Sequence, residues 1–370
     1  MDETIPVVGS NFMTYLASHS VRCANIEGPM FASDNRLKKA GPNLTSSELL
    51  VDFIKKTDIN LACTGNNHFF DFGVDAAWMT VDSLGIPSVG CSFGLVQHHA
   101  HRLRDEHGQV ISIVAAGESF HGSISDQDSP KSSGVLSLTT SRFRRLLMTE
   151  IDECDIVIVL AHCGLEGENL PLPEWKEVLR SFVELGARAV IAHHTHTVLP
   201  FESLGNSRIY YGIGNLHMPQ RYSGGYSEGL CVTISTGPGG AVDFNEVPFV
   251  NSAGVIEIAT GRTEGVKRLE DVDGYKMQVE NMCIRVLERD FWPGLMDVFN
   301  GIGHRPGLAE LIALAQSRMA RKFVDRSPDV AEHRLLYLEH LFRVESNRWT
   351  IERALRSCLA NENWKGLRGW

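Results

Sequence analysis

The eight cysteines of this 370-residue chain include no C-x-x-C pair. They are scattered at Cys23, Cys63, Cys91, Cys154, Cys163, Cys231, Cys283 and Cys358, mostly inside apolar runs. That spacing excludes the usual thiolate zinc sites. It also argues against a disulfide framework, which belongs to much shorter secreted chains. Core thiols in a reducing compartment are the expectation. Positive charge is not in surplus either: 35 Lys and Arg stand against 45 Asp and Glu, a formal net charge of −10, with a pI near 5.8. An acidic balance argues against nucleic-acid binding, which needs a basic surface, but still admits an anionic substrate held by metal ions. No apolar stretch approaches the roughly 18–20 residues of a membrane span. The start, Met1-Asp2-Glu3-Thr4, is acidic and lacks an apolar signal segment. A cytoplasmic protein is therefore expected, membrane-associated or exported only if the true start lies upstream. Internal repeats and low-complexity tracts are absent as well.

What the chain has instead is an alternation of short apolar runs and helical patterns from about residue 5 to 250. Val21–Ile26, Ile59–Cys63, Val110–Ala116, Ile156–Ala161 and Ala189–Ala192 read as strands. The spacing predicts helices from Ser46 or Ser47 through Lys56, and over Val74–Leu84, Ser141–Glu153 and Pro173–Leu185, with Gly85 and Gly186 as stops. Ile209–Tyr211, Leu230–Ser235 and Val242–Val250 follow as closely spaced strands, so a mixed sheet is expected. The order strand, polar loop, helix predicts an α/β fold. After residue 255 the helical patterns Glu264–Asp290, Leu308–Phe323, Pro328–Glu345 and Thr350–Leu359 take over. The predicted organisation is therefore an α/β domain over 1–255 and a helical region over 256–370. Trp292, Trp349, Trp364 and Trp370 are expected to pack the helical region down, as a structural cap or interaction surface rather than a substrate lid.

Four of the strands end in residues able to bind metal. Ala189-Val190-Ile191-Ala192 runs into His193, His194 and His196, three imidazoles in four positions at the carboxyl end of a strand, where open α/β sheets keep their sites. His162 ends Ile156–Ala161, with Glu166 and Glu168 downstream to orient it. Asn67-His68 with Asp71 offers an amide oxygen, an imidazole and a carboxylate. His68 could serve as a general acid with its pKa set by Asp71. The plainer role for Asp71 is to cap the following helix, and both can hold. Glu27 closes a fourth strand and could bridge two ions.

Taken in order, these pieces resemble the CapA family of bacterial capsule and poly-γ-glutamate synthesis proteins, a branch of the calcineurin-like metallophosphoesterases. Asn25-Ile26-Glu27-Gly28-Pro29 is similar to the family's N-L-E-x-P. Gly65-Asn66-Asn67-His68 with Asp71 and Gly73 is similar to A-N-N-H-x-x-D-x-G, and His162-Cys163-Gly164-Leu165-Glu166 to H-x-G-x-E. Ala192-His193-His194-Thr195-His196 is similar to G-H-H-P-H, and Gly212-Ile213-Gly214-Asn215-Leu216 to S-L-G-N-F. The resemblance implies a metallophosphoesterase-like sandwich of two packed sheets flanked by helices. It implies two divalent ions (Mn, Fe or Zn) held by Glu27, Asn67, His162, His194 and His196, with His68 as the catalytic histidine. It also implies a hydrolase of phosphoesterase type in capsular polymer metabolism, acting on an anionic small molecule or polymer. The family begins with a strand and a Gly-Asp pair whose Asp is a metal ligand. Only 24 residues precede Asn25 here, and none forms that pair. Two expectations follow: an N-terminal strand missing from the chain, or an ion site short of a ligand. The second makes a non-catalytic binding or assembly protein on the same fold the alternative function.

Overall fold

Runs of Ile, Val and Ala with no polar break form strands covered on both faces, and such runs build the centre of this molecule. The structure, a computed structural model, describes residues 5–217, 226–259, 267–302 and 332–360. They fall into two units. One comprises the chain up to Leu37, Asn43–Glu118 and Gly122–Asp271; the other comprises Lys38–Pro42, Ser119–His121 and the chain from Val272 on.

The first unit is built on a six-stranded sheet. Its middle strands are Val110–Gly117 (β8), Ile156–His162 (β11), Ala189–Ala192 (β12) and Ser207–Tyr210 (β14), all parallel, in the order β14-β12-β11-β8. Ala100–Arg104 (β7) and Phe201–Leu204 (β13) add antiparallel edges, which makes the sheet mixed as expected. Every residue of β11 and β12 is buried. On one face Ile111, Ile113, Ile156, Ile158, Leu160 and Ile191 pack with Leu230, Val232 and Ile234. The last three belong to a second sheet, of Val7–Val8 (β1), Tyr226–Gly237 (β15), Ala241–Ser252 (β16) and Val255–Ile258 (β17). Two sheets thus share one apolar core, the sandwich that the family resemblance implied.

The helices sit where the apolar spacing puts them. Pro173–Leu185 (α5) buries Trp175, Leu179 and Phe182, four and three residues apart, on one stripe. Ser141–Glu153 (α4) is capped by Thr140, whose side chain accepts the Phe143 amide at 3.2 Å, and buries Phe143 and Leu147. Leu50–Thr57 (α2) lacks the side-chain cap expected of Ser46 or Ser47: its N-cap is Leu49. Ser10–Ala17 (α1) and β17 carry no strong pattern and were not foreseen. α1 buries Phe12 edge-on against Phe249 of β16, ring centroids 5.4 Å apart. Cys23–Asn25 (β2), Leu61–Cys63 (β3) and Ser88–Val89 (β4) form a short parallel sheet. Gly90, at φ +120°, lies so close to Gly65 that a side chain there would sit 2.5 Å from the Gly65 Cα. Two glycines thereby let the loop after β3 approach Ala115 of β8. A small sheet, Cys91–Phe93 (β5), Val96–His98 (β6), Ser123–Ile124 (β9) and Gly134–Leu136 (β10), completes the unit.

The second unit is helical: Tyr275–Val286 (α6), Trp292–Ile302 (α7), Glu332–Arg343 (α8) and Glu345–Ala360 (α9). Trp292 is buried, as expected, and Trp349 partly so. Trp364, Trp370 and the pattern Leu308–Phe323 lie outside the described residues. No helix among the described residues is long and apolar enough to cross a membrane. All eight cysteines are free thiols, and burial pushes the Cys63 and Cys91 thiols up to about 12.

Candidate metal centre

Because β8, β11, β12 and β14 run parallel, their carboxyl ends share one edge of the sheet. Glu118 stands directly after β8, His162 is the last residue of β11, and His193, His194 and His196 follow β12. From the short parallel sheet, β2 leads to Glu27 and β3 to Asn66-Asn67-His68.

The side chains converge. One ligand atom each from Glu27, His162 and His194 lies within 4.8 Å of the other two. His162 Nε2 is 2.8 Å from Asn67 Oδ1 and 2.8 Å from His194 Nδ1. His196 stands at the margin of this group, its Nε2 3.8 Å from Glu27 Oε1 and 3.5 Å from Glu166 Oε1. The structure therefore brings together Glu27, Asn67, His162 and His194, and places His196 beside Glu27. His193 is buried behind them, its ring edge-on to His162 at 4.9 Å.

The donor chemistry fits a divalent cation. His162 is fully buried, and burial, with the neighbouring His194, His193, His196 and His68 rings, holds its imidazole well below the ordinary value. Burial likewise brings His193 down to about 4. Neutral imidazoles keep a lone pair, and with a carboxylate and an amide oxygen they make a mixed N/O set of the kind Mn, Fe or Zn accepts. The double contact of His162 Nε2 points the same way. That atom has one proton or one lone pair, so without a cation its two short contacts could share at best one divided, weaker hydrogen bond. A cation among the three donors would satisfy all of them.

His68 and Asp71 form a separate pair. His68 Nδ1 is 2.7 Å from Asp71 Oδ2, and Asp71 is fully buried. The same Asp71 Oδ2 accepts the Leu44 amide at 2.8 Å, and the Asp71 carbonyl accepts the Leu37 amide. Asp71 does not cap the next helix, Gly73–Leu84 (α3). The N-cap there is Phe72, with no side-chain cap bond. The expected roles of Glu166 and Glu168 also shift. Glu166 faces His196 rather than His162, and Glu168 contributes its carbonyl, which accepts the Thr197 hydroxyl at 2.6 Å.

Two residues went unassigned in the sequence. Glu118, buried, has Oε1 3.8 Å from His194 Nε2. Its amide donates to the His162 carbonyl at 3.0 Å. The available signal was its place at a strand end, shared with the other four groups. Asn215 has Oδ1 2.8 Å from His196 Nδ1. It lies in a quoted motif that carried no assigned role.

The family model described as Bacterial capsule synthesis protein PGA_cap matches residues 6–220, a span containing every group named above. The chain belongs to that family. It is 24% identical over 222 residues to the capsule biosynthesis protein CapA of Bacillus anthracis, covering 56% of this chain and 53% of the relative. It is 24% identical over 206 residues to the PGA biosynthesis protein CapA of Bacillus subtilis (strain 168), covering 54% and 53%. The chain thus spans about half the length of the curated relatives it matches. Among solved structures it is similar to the calcineurin-like phosphoesterase YfkN from Bacillus subtilis. That likeness has a TM-score of 0.32, 15% identity, and 63% and 73% of the two chains covered. It is also similar to a 5'-nucleotidase from Candida albicans SC5314, with a TM-score of 0.35, 12% identity, and 61% and 42% covered.

Proposed function

Starting from membership of the capsule synthesis family, we propose that this chain is a metal-dependent hydrolase of phosphoesterase type in capsular, poly-γ-glutamate-type polymer metabolism. The observation that carries the reading is the convergence of Glu27, His162 and His194 within 4.8 Å beside the His68–Asp71 pair. Glu27, Asn67, His162, His194 and His196 would hold two divalent ions, Mn, Fe or Zn. Bound there, the ions would polarise a substrate oxygen and make a water nucleophilic at neutral pH.

The remaining steps belong to the chain's own side chains. In the doubly protonated ring of His68, Asp71 Oδ2 accepts the Nδ1 proton, which fixes the ring and leaves the second proton, on Nε2, to be given to the departing oxygen. Burial of Asp71 keeps that orientation unique, since its carboxylate is also tied to the Leu44 amide. The Asn66 side chain accepts the His68 amide at 3.2 Å and donates to the Ile26 carbonyl at 2.7 Å. The loop carrying His68 is thereby locked to the loop carrying Glu27. The substrate would be an anion, small molecule or polymer, its negative charge met by the ions against the carboxylates of Glu27, Glu118 and Glu166.

Elemental analysis of purified protein tests the reading. At least about one ion per chain, lost in His194→Ala, is expected. Less than that, with no change in the variant, leaves the alternative, a binding or assembly protein on the same fold. Hydrolysis of generic phosphodiesters and of γ-linked glutamyl peptides then separates the two substrate classes.

A further inference from the structure

The motif Gly212-Ile213-Gly214-Asn215 is left without work by the hydrolase reading, yet it is packed tightly against the histidine turn. The Leu199 amide donates to the Gly212 carbonyl at 3.0 Å, and the Gly214 amide to the Thr197 carbonyl at 3.1 Å. On the other side the Asn215 amide donates to the Glu228 carbonyl at 3.1 Å. This segment is therefore wedged between the turn 195–199 and β15. The wedge has room only for glycine. A Cβ on Gly212 would lie 2.6 Å from the Thr197 carbonyl oxygen and against the Thr195 hydroxyl. A Cβ on Gly214, at φ +69°, would collide with the Glu228 carbonyl. The close approach sets Asn215 Oδ1 2.8 Å from His196 Nδ1.

His196 itself needs holding. Its φ is +58°, a left-handed conformation that costs an L-residue other than glycine about 1 kcal/mol or more. Its Nε2 faces Glu27 Oε1 and Glu166 Oε1 at 3.8 and 3.5 Å, longer than a good hydrogen bond. We infer that Asn215 is the positioning residue of His196: its amide oxygen holds the imidazole proton on Nδ1 and turns the Nε2 lone pair toward Glu27. An amide oxygen only accepts, so the nitrogen facing it must carry the proton. Neutral imidazole has one proton, so Nε2 is left as a donor of electrons rather than of hydrogen. A lone pair facing two carboxylate oxygens is unfavourable by itself and becomes favourable with a cation among them. The inference rests in this respect on the metal-centre reading.

The tautomer can be read without any metal. Metal-free protein labelled with ¹⁵N-histidine, at alkaline pH where the imidazoles are neutral, gives long-range ¹H–¹⁵N correlations that separate the two ring nitrogens. His196→Gln identifies the signal. The wild type is expected to show His196 protonated on Nδ1. Asn215→Leu, of similar size but with no acceptor, is expected to lose that preference. Asn215→Asp, which keeps an acceptor oxygen, is expected to retain it. Calorimetric titration with Mn²⁺ should show affinity lowered roughly 10–100-fold in Asn215→Leu and largely kept in Asn215→Asp, the usual size for an outer partner of a ligating histidine. A proton on Nε2 in the wild type overturns the inference. So does Asn215→Leu with an unchanged tautomer. The wild-type spectrum decides even if neither variant folds. Wild-type protein that binds no Mn²⁺ counts against the metal centre, and the spectra alone then judge Asn215.

Discussion

A pair of neighbouring histidine rings in each unit invites comparison, and the two pairs differ in kind. In the first unit His162 and His194 lie with ring centroids 4.4 Å apart, tilted at 53°, so that a nitrogen of each points at the other at 2.8 Å. Glu27 joins them within 4.8 Å. In the second unit His121 and His340 stack nearly flat, centroids 6.5 Å apart and planes 7° apart. The His340 ring nitrogen is 3.2 Å from the Asn347 side-chain nitrogen, and burial, with His121 and Lys39 nearby, brings His340 down to about 4. The carboxylate of that region, Glu345, accepts the Ser119 amide and hydroxyl at 2.6 and 2.7 Å. His162 and His194 are buried, whereas His121 and His340 are only partly so. What also separates them is direction. Tilted rings with a carboxylate present converging lone pairs, whereas stacked rings present faces. A close pair of histidine rings by itself therefore says little about metal; the aim of the nitrogens says more.

That contrast can be broken most directly by removing one member of each pair. His162→Ala is expected to reduce bound metal to background in elemental analysis, while His340→Leu keeps the wild-type content. Equal loss in both would erase the distinction. Next in size, His68→Gln should slow hydrolysis about 10²–10⁴-fold with metal content unchanged, since a positioned acid contributes that much and does not ligate. A rate within a few-fold of wild type would remove His68 from the chemistry.

Acid stability probes something the two units do share, a histidine whose charged form is disfavoured by loss of water. His99 and His340 are each held down to about 4 by burial, against an ordinary value of 6.5. The unfolded chain therefore binds protons that the folded chain refuses, so the two sites cost nothing above about pH 6.5. Stability falls as the pH drops from there towards about 4, by up to about 2 kcal/mol apiece at about pH 5. Urea unfolding at neutral pH and at about pH 5 should show the loss, and His340→Leu should recover its share. Smallest of all, Glu118→Gln is expected to weaken Mn²⁺ binding about tenfold, through His194 Nε2 rather than by direct contact. An unchanged affinity would make Glu118 a structural acid.

Much of the fold could be read from local pattern. Helices 141–153 and 173–185 fall where the apolar spacing predicts them, because one stripe of large side chains faces one sheet. Strands β11 and β12 were legible for a related reason: a run buried on both faces leaves no polar break. The short strands β4, β5, β6, β9 and β10, two or three residues each, exist only through their partners and leave no period to detect. Helix α1 owes its place to Phe12 on Phe249, a contact across more than two hundred residues that no local rule anticipates.

At the candidate centre, the sequence by itself determined which chemistry each strand end could offer: carboxylate at Glu27, amide and imidazole at Asn67 and His68, imidazoles at His162, His194 and His196. Residue type and its place after an apolar run are local properties, so they survive in one dimension. Only the tertiary structure decided how those groups face one another. Of the two roles open to Asp71 it kept the partnership with His68 and dropped the helix cap; it moved Glu166 to His196, and brought in Glu118 and Asn215. The direction of a ring nitrogen depends on which loops lie against it, and those loops come from distant parts of the chain.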